Sequence, residues 1–361
     1  MEKYRVGIVG ATGMVGQRFI SLLKDHPWFE VNCVAASARS AGKTYREAVG
    51  ERWAFAWEIP EKVAGMTVDD AADIDEVSKH VDFVFCAVDM KKDEIRALEE
   101  AYAKHEIPVV SNNSACRGIE DVPMVVPEIN ADHLAVIEAQ KKRLGTKNGF
   151  IAVKPNCSIQ SYVPALTPLL DFEPEKVSVC TYQAISGAGK TFKTWPEMVD
   201  NVIPYIGGED EKSENEPLKL WGHVEDGKIV NAALPVISAQ CLRVACSDGH
   251  MAAVSVSFKK KPTIEQIKER WANYETEAQR LELPSAPKPF LQYFEDPSRP
   301  QTRLDRDFQN GFGVSIGRLR EDKLFDYRFV CLSHNTVRGA AGGGILTAEL
   351  LCRKGYIPHR V

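Results

Sequence analysis

Tyr4-Arg-Val-Gly-Ile-Val9, Gly10-Ala-Thr-Gly-Met-Val-Gly16 and Gln17-Arg-Phe-Ile-Ser-Leu-Leu23 form one continuous stretch, and its reading decides the fold. The first six residues are a short apolar run of strand type, the next seven a glycine turn, and Phe19, Ile20, Leu22 and Leu23 recur at helical spacing. A second strand is expected at Val31 to Ala36, at the interval of a strand–helix–strand unit, and further strands at Phe83 to Val88 and Val109 to Val110. Helical segments lie between them. This alternation predicts an α/β fold with a parallel sheet covered by helices.

Gly10, Gly13 and Gly16 give the spacing GxxGxxG, a relative of the GxGxxG fingerprint that lets a backbone approach a pyrophosphate at a helix N-terminus. The turn makes Gly10, Thr12, Gly13, Met14 and Val15 candidate cofactor contacts in a dinucleotide-binding domain. A domain specific for NAD usually places Asp or Glu at the end of its second strand. Here that end reads Ala35-Ala-Ser-Ala-Arg-Ser-Ala-Gly-Lys43. Hydroxyls of Ser37 and Ser40 and the guanidinium of Arg39 suit a 2′-phosphate, so NADP(H) is expected over NAD(H). The competing reading leaves Arg39 and Lys43 merely exposed on a loop.

Around Asn156 the pattern changes. From Lys176 onward come longer alternating strands, including Val177 to Tyr182 and Val254 to Phe258, which suggest an α+β domain with an antiparallel or mixed sheet. Lys259-Lys-Lys261 reads as a solvated strand end. The acidic stretch Gly207 to Asn215 is either a loop over the site or a helix start. Near the C-terminus, Gly339-Ala-Ala-Gly-Gly-Gly344 leads into Ile345, Leu346, Ala348, Leu350 and Leu351, a helix expected to return and pack on the first domain. The expected division is therefore 1–155, completed by 338–361, and 156–337. No internal repeat interrupts it.

At 361 residues, 44% hydrophobic and 26% charged, the chain has the composition of an ordinary soluble two-domain protein. A net charge of −5 argues against a general nucleic-acid binder. No apolar run approaches the roughly 20 residues needed to span a bilayer, and the chain opens directly into a strand, so a cytoplasmic protein with no removable targeting segment and no membrane partner is expected. Nine cysteines, an odd number, fit a reducing compartment better than a disulfide framework. No cluster has zinc-ligand spacing, so no metal is expected.

Pro155-Asn-Cys-Ser158 carries the most chemistry. Ile151 to Val153 is strand-like, and Ile159, Val163, Leu166 and Leu170 then recur at helical spacing, with a kink expected at Pro164. Cys157 would thus sit at a helix N-terminus, where unpaired N–H groups favour a thiolate. Against that stands the commoner role of a free cysteine as a small buried hydrophobe. Arg243 and His250 precede and open a strand; an imidazole there can exchange the thiol proton near neutral pH, and the arginine can anchor an anionic substrate.

Taken together, Gly10 to Gly16, Asn156-Cys-Ser158, Gln183-Ala-Ile-Ser-Gly187, Glu216-Pro-Leu-Lys219, Arg243 to His250 and Asn335-Thr-Val-Arg-Gly339 resemble the aspartate-β-semialdehyde dehydrogenase family over nearly the whole chain. The Ala36 to Lys43 loop looks most like its archaeal and fungal branch. The resemblance implies a Rossmann-type parallel-sheet domain plus an α+β catalytic and dimerisation domain of the semialdehyde-dehydrogenase type, assembled as a homodimer or homotetramer. It implies NADPH-dependent reduction of β-aspartyl phosphate to aspartate β-semialdehyde and phosphate through a cysteine acyl-thioester, a step of lysine, threonine, methionine and isoleucine biosynthesis. By the same resemblance, Cys157 is the nucleophile, His250 the acid/base group, and Gln183 the residue that positions the carbonyl. Arg243 would bind the α-carboxylate, Glu216 the ammonium group, and Lys219 with Arg117 the phosphate. Ser186, Gly187 and Asn335 would lie near the cofactor, and Asn156 is a candidate oxyanion donor. Glu216 is the reason to prefer this reading over malonyl-CoA reductase or N-acetylglutamyl-phosphate reductase on the same scaffold. A catalytically silent NADP-binding sensor is the non-enzyme alternative.

Overall fold

The computed structural model describes residues 2–360. Six parallel strands form the first sheet: β1 (Tyr4–Val9), β2 (Phe29–Ala36), β3 (Val68–Asp70), β4 (Phe83–Cys86), β5 (Val109–Ser111) and β6 (Ile151–Val153), in the order β3-β2-β1-β4-β5-β6. Their sequences run apolar without alternation because helices cover both faces. The helix α1 (Met14–Leu23) buries Phe19, Ile20 and Leu23 against one face, and α2 (Lys92–Lys104) buries Ile95, Tyr102 and Ala103. Strand order reverses between β1 and β4, which opens a crevice at their carboxyl ends. The glycine turn sits there. Gly10 has φ +91°, and a Cβ on it would lie 2.4 Å from the Ala87 carbonyl, so only glycine lets β1 turn against the chain leaving β4.

The second sheet has seven strands: β7 (Pro174–Gln183), β8 (Val202–Ile203), β11 (Val236–Val244), β12 (His250–Phe258), β13 (Leu291–Phe294), β14 (Val314–Glu321) and β15 (Tyr327–Ser333), ordered β13-β14-β15-β12-β7-β11-β8. Parallel pairing of β7 with β11 and antiparallel pairing of β7 with β12 make it mixed. Between β8 and β11 lie the helix α3 (Glu209–Leu220) and the hairpin β9 (His223–Glu225) and β10 (Lys228–Val230). The acidic stretch is thus a helix start: Glu209, Asp210 and Glu211 occupy the first turn, where carboxylates oppose the helix dipole favourably.

The last helix, α4 (Gly342–Arg353), is buried along all but its final residue and packs into the core that holds Phe19, Phe83 and Phe85. Its carboxylate, Glu349, accepts from His26 Nε2 at 2.8 Å and from the Ser285 hydroxyl and amide, so the buried charge is fully hydrogen-bonded.

Two expectations need correction. The fourth strand ends at Cys86, two residues short of Val88, where the chain leaves the sheet to border the crevice. The run after Cys157 is not one helix: it is a 3₁₀ turn (Ile159–Ser161), a single α turn (Val163–Leu166) and a second 3₁₀ segment (Thr167–Phe172). Pro164 and Pro168, four residues apart, each remove a backbone donor and force these breaks. The apolar spacing reflects burial of Ile159, Val163 and Leu166 on a broken segment. With no helix N-terminus at Cys157, the dipole argument for its thiolate does not apply.

Candidate active site

Cys157 follows β6 and lines a cavity of about 230 Å³ at the junction of the two sheets. Its Sγ lies 3.4 Å from Nε2 of His250, the first residue of β12. The other ring nitrogen, Nδ1, accepts the Ala184 N–H at 3.0 Å. A nitrogen that accepts a backbone N–H carries no proton, so neutral His250 bears its proton on Nε2, facing the sulfur. Burial holds the imidazole well below its ordinary range, with Arg243 and Lys154 adding to it against the pull of the Gly249 carbonyl. At neutral pH the ring is therefore uncharged. Burial pushes the Cys157 thiol up, and Glu209 adds to this, while Lys154, Arg243 and Arg117 pull it down.

The cavity wall opposite the sulfur is built by α3. Glu209 opens the helix, and its carboxylate gathers the site's amides: Asn156 Nδ2 donates to both oxygens at 3.0 Å and Gln183 Nε2 to one at 3.2 Å. Lys212, one turn on, pairs with it at 2.8 Å. Glu209 and Lys212 both line the cavity; Glu216 and Lys219 do not. The Glu216 carboxylate is taken by Arg117 at 2.9 Å and by the Asn156 backbone N–H at 2.5 Å. The Lys219 ammonium donates to the carbonyls of Arg117, Ile119 and Val122 at 2.7, 2.7 and 3.0 Å. An ammonium has three protons, so none remains for a phosphate. The expectations for Glu216 and Lys219 as ligand-facing groups are thus corrected: they brace the segment that carries Arg117, whose side chain does reach the cavity.

Asn156 is corrected too. Both Nδ2 protons point at Glu209, and Oδ1 accepts from Ser158 N at 2.8 Å and Oγ at 2.7 Å, which leaves no amide proton for an oxyanion. Arg243, next to last in β11, sits opposite Gln183 at the end of β7, and its Nη1 donates to the Ala184 carbonyl at 2.8 Å. That bond holds it behind Gly187, where an added Cβ would lie 2.8 Å from Nη1 and 3.0 Å from the His250 ring.

Lys154 was not singled out in the sequence, yet it lines the same cavity, almost wholly buried, with its ammonium on the carbonyl of the next residue, Pro155. Its burial in the apolar run Ile151 to Val153 was the available signal, since a lysine continuing a buried strand requires a reason. Burial, reinforced by Arg117, brings it down to about 7.

A second cleft, lined by Met14, Arg18, Phe55, Ile185, Ser186, Ser247, Asp248 and Thr336 among others, runs from the glycine turn towards Cys157. Val15, Ser186, Gly187 and Asn335 border the cysteine cavity itself. Asn335 fixes this wall: its Oδ1 accepts the Gly249 N–H at 2.8 Å and its Nδ2 donates to Ser186 Oγ at 2.9 Å. Gly13 caps α1 without a side-chain hydrogen bond, and a Cβ there would touch nothing nearer than 3.5 Å, so the space above Gly10, Thr12 and Gly13 suits a pyrophosphate. Ser37, Arg39 and Ser40 follow the end of β2 in an open turn closed by the Ser40 N–H on the Ser37 carbonyl. Among the described residues Arg39 has no ion-pair partner. No group of three His, Cys, Asp or Glu side chains among the described residues could hold a metal, and no helix is long and apolar enough to cross a membrane.

Two family models match the chain: "Semialdehyde dehydrogenase, NAD binding domain" over residues 5–137 and "Semialdehyde dehydrogenase, dimerisation domain" over 166–338. An aspartate-semialdehyde dehydrogenase of Aspergillus fumigatus is 43% identical, across 98% of this chain and 99% of its own. One from Archaeoglobus fulgidus is 44% identical, across 98% and 100%. The crystal structure of the Candida albicans enzyme with NADP superposes with a TM-score of 0.89 at 39% identity, covering 99% of this chain and 100% of that one. A fungal and an archaeal protein thus stand side by side among the relatives, as the Ala36 to Lys43 loop led one to expect. With both domains matched and relatives of this identity over nearly the full length, the chain belongs to the aspartate-semialdehyde dehydrogenase family.

Proposed function

We propose that this chain reduces β-aspartyl phosphate to aspartate β-semialdehyde and phosphate with NADPH, through an acyl-thioester on Cys157, in the biosynthesis of aspartate-family amino acids. The observation that carries the reading is the 3.4 Å contact between Cys157 Sγ and His250 Nε2 beside the glycine-turn cleft. In this reading the sulfur attacks the acyl carbon and the bond to the phosphate oxygen breaks, phosphate leaving with the electron pair. NADPH bound in the cleft supplies the hydride for the reduction. Collapse of the resulting tetrahedral oxyanion returns the electron pair to Cys157 and releases the aldehyde. The Cys157 N–H, which has no acceptor among the described residues, is the oxyanion donor, and the His250 Nε2–H supports the charge on sulfur between steps.

The substrate's α-carboxylate falls to Arg243 and its ammonium group to Glu209, in place of Glu216. The phosphate falls to Arg117 and Lys212, in place of Lys219. Gln183 holds Glu209 in place. The case against a malonyl-CoA or N-acetylglutamyl-phosphate reductase accordingly passes to Glu209, the carboxylate that faces the cavity. Ser37, Arg39 and Ser40 take the 2′-phosphate of NADP(H), and Gly10 to Val15 its pyrophosphate. Residues 1–155 with 338–361 form the cofactor domain and 156–337 the catalytic and dimerisation domain. Exposed Val199, Val202 and Tyr205 around β8, with Val236 at the far end of the neighbouring strand β11, support a homodimer formed by the second domain. The compartment is the cytoplasm.

Purified protein given aspartate β-semialdehyde, NADP⁺ and phosphate is expected to form NADPH in a phosphate-dependent manner, and Cys157→Ser to lose this activity. Turnover that persists in folded Cys157→Ser overturns the thioester. Malonyl-CoA with NADPH as the better substrate pair overturns the substrate assignment.

A further inference from the structure

Three cationic side chains line the cavity, and two have carboxylate partners: Arg117 is paired with Glu216 and Lys212 with Glu209. Lys154 differs. Its ammonium has no carboxylate within salt-bridge distance among the described residues, and its one acceptor is the Pro155 carbonyl, two residues before the nucleophile. A lysine this buried, lining the cavity with no carboxylate paired to it, holds its proton most readily when an anion shares the cavity.

His250 sharpens the requirement. In cysteine–histidine pairs the imidazolium commonly balances the thiolate. Here Nδ1 accepts the Ala184 N–H, so the ring presents Nε2–H to the sulfur while uncharged. It offers the thiolate a hydrogen bond and no countercharge. We propose that the Lys154 ammonium is the counter-cation of the Cys157 thiolate, and that Lys154 is a positioning residue that stabilises the nucleophile in its charged form. The inference rests on the reading of Cys157 as the nucleophile. No hydrogen bond joins the two side chains, so Lys154, almost wholly buried, acts through its field. Reciprocal effects agree: Cys157 is the first anion to favour charged Lys154, and Lys154 the first cation to favour the thiolate. The other groups facing the sulfur are Glu209, which opposes the thiolate, and Arg243 and Arg117, which favour it.

The test is the pH dependence of Cys157 alkylation by iodoacetamide, read by mass spectrometry of the peptide containing Cys157, in wild type and Lys154→Gln. Glutamine keeps a donor for the Pro155 carbonyl and removes the charge. The alkylation midpoint is expected to rise by about one pH unit, slowing the reaction about tenfold at pH 7. Lys154→Arg, which keeps the charge, is expected to restore most of the rate. If Lys154→Gln does not fold, Lys154→Met carries the same comparison. An unchanged midpoint in a folded, uncharged variant overturns the proposal, as does a raised KM for phosphate with no change in alkylation. The readout needs no turnover, so it stands apart from the loss of activity in Cys157→Ser, whose absence would instead remove the nucleophile assignment.

Discussion

The two ends of α3 carry the same pattern, Glu209-x-x-Lys212 and Glu216-x-x-Lys219, and the structure uses them for opposite purposes. At the first end the carboxylate gathers two amides and the ammonium borders the cavity of Cys157. At the second the carboxylate neutralises Arg117 and the ammonium closes three backbone carbonyls of the 117–122 segment. One end is available to a ligand, the other is part of the wall. Identical spacing on one helix therefore says nothing about role; the groups opposite each turn decide it.

The difference is expected to be largest in stability. Lys219→Met strands three buried carbonyls and should lower the free energy of unfolding by about 2–3 kcal/mol in urea titration, with KM for phosphate within about twofold of wild type. A large KM effect without destabilisation would return Lys219 to the ligand side. Next, Glu209→Gln removes the acceptor that orders Asn156, Gln183 and Lys212 together, and kcat/KM for aspartate β-semialdehyde should fall about a hundredfold. A fall below about fivefold would show that the amides hold their places unaided. Lys212→Met should raise KM for phosphate about tenfold while costing less than about 1 kcal/mol of stability, because its pair with Glu209 is partly solvated. The smallest effect is a slope with pH. Burial lowers Lys219 to about 8, against about 10.4 in an unfolded chain. Between these values the unfolded state holds the extra proton, so stability rises with pH and is lost again as pH falls through about 8. Wild type should gain about 1 kcal/mol relative to Lys219→Met between pH 8 and 9, measured as the difference of their urea midpoints.

This contrast also explains what was legible in the residues alone. The glycine turn, the order of strands and helices around it, Cys157 and His250 all announce themselves through local chemistry: a backbone that only glycine can follow, apolar runs of strand length, a thiol and an imidazole at strand ends. The two glutamate–lysine pairs cannot be told apart this way. Seven residues are nearly two full helical turns, so both pairs lie on one face, about 10 Å apart along the axis, and share every periodicity. Only the chain opposite, some hundred residues earlier in sequence, distinguishes them. Asn156 illustrates the same limit, since its proximity to the nucleophile suggested a donor to substrate while its protons are committed to Glu209. Lys154 differs again: as a lysine continuing the buried strand Ile151–Val153 it carried a local signal, but its place in the cavity of Cys157 follows only from the fold. The broken helix after Cys157 lay between, since Pro164 signalled a kink and the joint effect of two prolines decided its size.

The helix α4 completes the core beneath β1 and β4, and the chain just before it closes the cavity: a Cβ on Gly339 would lie 2.8 Å from Cys157 Cβ. During synthesis, every residue between α1 and α4 must therefore be made before the first core has its full lining or the nucleophile its roof. A nascent chain carries a completed sequence for Cys157 and His250 while presenting apolar α1 and strand surfaces to solvent or chaperone, with no cavity yet around its thiol. The surroundings of Cys157 are thus completed only once α4 and the residues that precede it have docked.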